Sequence, residues 1–167
     1  LNSYALKGLL KSKEKIEMRM TELICQDPDL KKLYQLITSV KCVGKVLATE
    51  LLVYTNGFTR MQNTRQLACY CGVAPFEHSS GTSVRGRTGT SNFANMKLKS
   101  TLHMAAVSAT RYVPDIKQYY ERKVAEGKHK MTVINSIRNK LIKRVMAVVK
   151  RGTPYEEIFP KINLELS

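Results

Sequence analysis

Ser79, Ser80 and Gly81 stand together in a stretch, residues 77–90, that reads EHSSGTSVRGRTGT. Arg85 and Arg87 follow closely, and Lys97 and Lys99 come soon after. A serine hydroxyl can attack phosphorus and form a phosphoserine ester, provided its proton is taken and cations hold the charge of the pentacovalent state. Arginine suits the second task because its guanidinium fork grips two phosphate oxygens. The same residues suit a milder chemistry, in which hydroxyls and backbone N–H groups bind phosphate without attacking it. On residue types alone that phosphate grip is the stronger reading, and a solvent-exposed linker stays open.

Other chemistries find less support. His78, His103 and His129 share no short metal spacing. His78 reads as solvent-facing in preference to a proton relay, His103 as structural, and His129 as the start of a helix. Between Ser80 and Arg151 the acids are only Asp115, Glu121 and Glu126, too few and too scattered for a self-contained two-metal nuclease site. Neither a Walker loop nor GxGxxG occurs. Cys25, Cys42, Cys69 and Cys71 lack a zinc pattern and read as reduced, mostly buried thiols of a cytosolic protein. Tyr112, Tyr119 and Tyr120 can stack on bases, but packing between helices is the better reading.

The elements that must position the serine stretch read as helices. Leu6, Leu9, Ile16, Met20 and Leu23 recur near helical spacing over residues 3–25 and predict a long amphipathic helix that packs against a partner. Asp27 and Pro28 predict an N-cap and first helical position of a second helix running to about Thr38. Val40 and Val43 flank a predicted turn at Gly44, a residue free to take an unusual φ, and a helix leaves from Lys45. N–H groups at that start can hold a phosphate, so the pattern resembles a helix-hairpin-helix grip on a DNA backbone, although a plain turn between core helices fits as well. Asn56-Gly57 marks a turn, and residues 63–72 form a short helix ended by Gly72. A helix from Asn92 to about Arg111, one from Pro114 to Gly127, and one over residues 130–150 follow. On the last, Ile134, Ile137, Leu141, Val145 and Val148 share one face, while Lys130, Arg138, Lys140, Lys143, Arg144 and Lys150 are assigned to the other. The fold class is all-α, with residues 1–38 as a helical linker or dimerisation arm of coiled-coil type, 39–152 as the main domain and 153–167 as an irregular tail.

The 167 residues are 43% hydrophobic with no Trp, so the core must come from Leu, Ile, Val, Met and Ala. No apolar run reaches the length of a membrane span, and the chain begins at Leu1 without an initiator Met, which reads as a segment cut from a longer protein. The net charge of +15 is unevenly spread: residues 80–151 hold 16 Lys/Arg against 3 Asp/Glu. Such a concentration is the footprint of a nucleic-acid binder, because each phosphate contact releases counterions. A basic surface that only solubilises the chain, or meets an anionic membrane, is the weaker reading.

Phe58, Gln66-Leu67, Tyr70, Gly72-Val73-Ala74-Pro75, Ser80-Gly81, Asn95-Met96-Lys97-Leu98-Lys99 and Ala105-Ala106 appear in an order and spacing that resembles the C-terminal domain of insertion-sequence transposases of the IS110 family. The resemblance covers about residues 36–151. It departs at Ala94, where the family has Gly, and at Lys99, where it has Arg. The resemblance implies a bacterial DNA recombinase of mobile elements, in two parts. An N-terminal RuvC-like domain, absent from this chain, would bind Mg²⁺ through four acidic residues, and no cofactor is expected in this segment. The C-terminal domain would supply a serine nucleophile, which maps to Ser80 with Ser79 as the rival. Gly44, Lys45, Gly81, Arg85, Arg87, Lys97, Lys99, Lys140, Lys143 and Arg144 are the expected nucleic-acid contacts. The resemblance further implies DNA and a structured guide RNA as partners, a homodimer or tetramer in the full-length protein, and a place at the bacterial nucleoid in the cytoplasm. The alternative is a non-catalytic helix-hairpin-helix binding module. This segment alone is expected to bind nucleic acid and not to recombine it.

Overall fold

A computed structural model of the chain describes residues 2–76, 79–80, 84–85, 89–90 and 93–156. Its order is α1 (Asn2–Gln26), α2 (Pro28–Ser39), α3 (Lys45–Thr55), α4 (Thr64–Tyr70), four two-residue strands, then α5 (Met96–Tyr112), α6 (Pro114–Ala125) and α7 (Lys130–Arg151). The fold is therefore all-α, as expected. The strands are β1 (Pro75–Phe76), β2 (Ser79–Ser80), β3 (Val84–Arg85) and β4 (Gly89–Thr90). They pair antiparallel as β1 with β4 and β2 with β3, one pair nested inside the other.

The helices start and stop where their capping residues dictate. The Asp27 carboxylate accepts from the N–H groups of Asp29 and Leu30, with Pro28 beginning α2. Asn63 and Gln66 form a reciprocal capping box on α4, so two otherwise orphaned N–H groups are satisfied. Asn95 caps α5 through Leu98 N–H at 3.0 Å, and the His129 ring accepts from Met131 N–H at the start of α7. The predicted start of α5 at Asn92 is thus too early: Asn95 is the cap, and Phe93 is 95% exposed outside the helix. At the turn before α3, Gly44 has an ordinary φ of −80°, and the left-handed residue is Cys42 at φ 67°. The turn closes one step earlier than the sequence suggested, with Val43 N–H donating to Val40 C=O at 3.0 Å.

The core is aliphatic. Ile37, Leu67, Leu98, Ile116, Ile137, Leu141, Ile142 and Val148 are all but completely buried, each contributing on the order of 1.5–3 kcal/mol. They join α2, α4, α5, α6 and α7 into one cluster. Because α2 supplies Leu36 and Ile37, this core reaches back into the segment assigned above to the arm. Cys71 is buried in it, and burial pushes its thiol up to about 12. Cys25, by contrast, is exposed. α1 stands apart: Leu6, Leu9 and Ile16 are each more than half exposed. Its 25 residues extend about 38 Å. At the other end of the domain Tyr155 N–H donates to Ser39 Oγ at 2.8 Å, so the chain beyond α7 returns onto α2.

Candidate nucleic-acid interface

The serine-bearing segment leaves the core at the C-terminus of α4 and re-enters it at the N-terminus of α5, and several contacts pin that root. Asn95 N–H donates to Tyr70 C=O at 2.8 Å, and the Asn95 side-chain amide meets the Tyr70 hydroxyl at 3.2 Å. Gly72 takes φ 62°, and a Cβ there would stand 2.7 Å from Ala94 Cβ and 3.2 Å from Lys99 Cδ. Only glycine fits that crossing. Ala94, one of the two departures from the family pattern, therefore fills the space opposite Gly72, and Lys99, the other, lies along the same turn. From α7, the Asn135 amide donates to Val73 C=O at 3.0 Å.

Beyond the root, Pro75 pairs with Thr90 and Phe76 with Gly89. Farther out, Ser79 pairs with Arg85 and Ser80 with Val84. Ser80 thus sits at the end of the outer pair away from the root, next to residues 81–83, and Arg85 is opposite Ser79. His78, Gly81 and Arg87 lie outside the described residues.

The remaining expected contacts fall into two places away from this root. Gly44, Lys45 and Lys97 line a groove of about 1560 Å³ bounded by α1, α3 and α5. Gly44 caps α3 with no side-chain hydrogen bond, so the first N–H groups of α3 carry the positive end of the helix dipole without a capping side chain. Lys97 lies 3.8 Å from Glu50, whose carboxylate is mostly buried. Lys140, Lys143 and Arg144 lie on α7. Lys143 is exposed. Lys140 Nζ is 4.0 Å above the Tyr119 ring, a packing role for Tyr119 rather than a free face for bases. Arg144 is ion-paired with Asp115 and lies 5.1 Å from the Tyr155 ring centroid. With its side chain only 16% exposed, it ties α6, α7 and the segment after α7 together. Tyr112 is exposed.

Arg138 was placed on the outer face of α7 from the sequence, and this is corrected: it is 7% exposed. The helical spacing explains why, since position 138 is one turn from both Ile134 and Ile142 on the apolar stripe. Its Nη2 lies 2.7 Å from His103 Nδ1, and its Nη1 lies 3.5 Å from Asn135 Oδ1. Arginine has only donors, so His103 Nδ1 must be the acceptor and the imidazole neutral. Burial, and then the adjacent Arg138 charge, hold His103 below its usual value. Burial likewise lowers the Arg138 guanidinium, which remains charged at any working pH. His103 is structural, as expected. Among the described residues, the side-chain partners of Arg138 are His103 and Asn135, and neither is a carboxylate. Also among the described residues, no three His, Cys, Asp or Glu side chains gather as metal ligands. The Mg²⁺ that the resemblance implies belongs to the N-terminal RuvC-like domain, and the described side chains of this segment offer no ligand cluster for it. No helix among the described residues is long and apolar enough to cross a membrane.

Comparison with known proteins shows what the chain is similar to. The family model described as "Transposase IS116/IS110/IS902 family" matches residues 34–121, from α2 through the nested strands into α6. The chain is 29% identical over 144 residues to the pilin gene-inverting proteins of Moraxella lacunata and Moraxella bovis, covering 85% of this chain and 44% of each relative. It is 32% identical over 124 residues to the insertion element IS110 uncharacterized 43.6 kDa protein of Streptomyces coelicolor, covering 74% of this chain and 30% of that protein. The chain thus spans less than half the length of these curated relatives.

Proposed function

The chain belongs to the transposase IS116/IS110/IS902 family, and from that membership we propose that it is the DNA-engaging part of a recombinase whose attacking group is the Ser80 hydroxyl. Ser80 Oγ attacks a backbone phosphorus. An Oγ–P bond forms, a P–O bond to the leaving strand breaks, and the serine proton ends on the departing oxygen as a strand hydroxyl. The phosphodiester energy is kept in the serine ester, so no nucleotide cofactor is consumed. Attack on that ester by the hydroxyl of an exchanged strand restores Ser80 and joins the new partners. Strand exchange of this kind is also the chemistry that inverting a gene requires, as the names of the Moraxella relatives describe.

The observation that carries this reading is the family match across a polar, hydroxyl-rich hairpin that is held at its root by helix ends. Arg85 stands in that hairpin opposite Ser79, and its guanidinium would supply a cation to the attacked phosphate. Lys99 sits at the root. Gly44 and Lys45 would hold a second phosphate at the uncapped start of α3, in the manner of a helix-hairpin-helix. A RuvC-like domain elsewhere in the full-length protein would bind Mg²⁺, and a structured RNA would direct the site. The exposed apolar stripe of α1 suits association of two copies.

The experiment uses the full-length protein with its RNA and a labelled DNA substrate. Wild type is expected to leave a protein–DNA adduct on a denaturing gel, Ser79→Ala is expected to retain it, and Ser80→Ala is expected to lose it while DNA binding persists. An adduct that survives in Ser80→Ala would leave the hairpin as a phosphate grip, and the domain as a non-catalytic binding module.

A further inference from the structure

We infer that Asn135 and Arg138 are positioning residues for the serine hairpin, held in register by a neutral His103. This rests on the reading of Ser80 as the attacking group. Three hydrogen bonds link α5 to the hairpin root through α7: His103 Nδ1 accepts from Arg138 Nη2 at 2.7 Å, Asn135 Oδ1 faces Arg138 Nη1 at 3.5 Å, and the Asn135 amide donates to Val73 C=O at 3.0 Å. Val73 lies two residues before β1. The Asn135–Val73 bond is therefore a link from the helical core to the backbone that carries Ser79 and Ser80.

The chemistry of the chain is directional. Asn135 can donate to Val73 only if its amide nitrogen faces that carbonyl, and its oxygen then faces Arg138. The guanidinium fixes that orientation because it offers donors alone. His103 in turn fixes the guanidinium by presenting a lone pair. Arg138 Nε has no partner among the described residues, although the residue is 7% exposed. A buried cation with one donor unsatisfied is costly, and a hydrophobic residue at position 138 would pack the same stripe without that cost. What arginine adds is the orientation of Asn135. A misplacement of the attacking atom by a fraction of an ångström slows chemistry without weakening binding.

The test uses the full-length protein with its RNA. Asn135→Asp keeps size and keeps an acceptor for Arg138, but loses the donor to Val73. Its melting temperature is expected to match wild type within a few degrees and its DNA affinity to be unchanged, while adduct formation slows about tenfold, the equivalent of one hydrogen bond. Amide exchange of residues 76–90 is expected to rise by a similar factor relative to α7. His103→Lys, which sets a fixed charge against Arg138, is expected to behave the same way. His103→Gln, which restores an acceptor, is expected to recover most of the rate. Asn135→Asp that forms adduct at the wild-type rate, with unchanged exchange in residues 76–90, overturns the inference. If exchange rises in these variants but Ser80→Ala still forms adduct, the positioning stands and the assignment of Ser80 falls.

Discussion

At the scale of single residues, the hairpin root is where sequence and geometry agree most closely. Gly72 is required both by φ 62° and by a Cβ position 2.7 Å from Ala94 Cβ. Gly72→Ala is expected to cost at least about 2 kcal/mol, from the left-handed backbone together with overpacking. For a domain of this size that is a fall of roughly 4–8 °C in melting temperature, read by calorimetry. Gly44→Ala meets nothing within 4 Å and an ordinary φ, so it should leave the melting temperature within about 2 °C, since surface changes of this kind stay near 0.5 kcal/mol. The contrast separates the glycine the fold needs from the one the sequence singled out. Gly72 was legible as a helix stop, but its close approach to Ala94 was not, because that contact joins positions 22 residues apart and depends on how α4 meets α5.

The helices themselves were legible because their signals are local. Asp27-Pro28 and Gly152 each act within one turn, and the aliphatic periodicity marks which face is buried; the caps at Asn63 and Asn95 are as local but were not singled out, which is why α5 was started early at Asn92. Arg138 escaped because charge was given precedence over spacing. Its position one turn from Ile134 and Ile142 put it on the apolar stripe, and a partner for it, His103, is 35 residues away. The same limit applies to Arg144, whose ion pair with Asp115 joins α7 to α6. Composition alone makes Arg144 and Lys143 equivalent, and packing makes them different. In a salt titration of DNA binding, Lys45→Ala is expected to reduce the slope of log K against log salt by about 1, as for one lost phosphate contact. Arg144→Ala is expected to leave that slope unchanged and to lower the melting temperature instead, because it releases the Asp115 and Tyr155 contacts. A slope that falls with Arg144→Ala and not with Lys45→Ala would reverse these two roles.

On the scale of the whole molecule, charge and topology point the same way. Residues 80–151, with 16 Lys/Arg against 3 Asp/Glu, run from the serine segment through α5, α6 and α7. The aliphatic core beneath them is continuous from α2 to α7, so the hairpin rises from a rigid base, as a group that must meet a phosphodiester requires. α1 lies outside that core with its apolar stripe exposed. The central claim is that the ester forms on Ser80, and the bond itself can be read. The adduct formed by the full-length protein would be digested with nuclease and trypsin, and the nucleotide remnant located by fragmentation of the peptide spanning residues 66–85. The remnant is expected on Ser80. A remnant on Ser79, Thr82 or Ser83, or on a residue outside this peptide, would contradict the account.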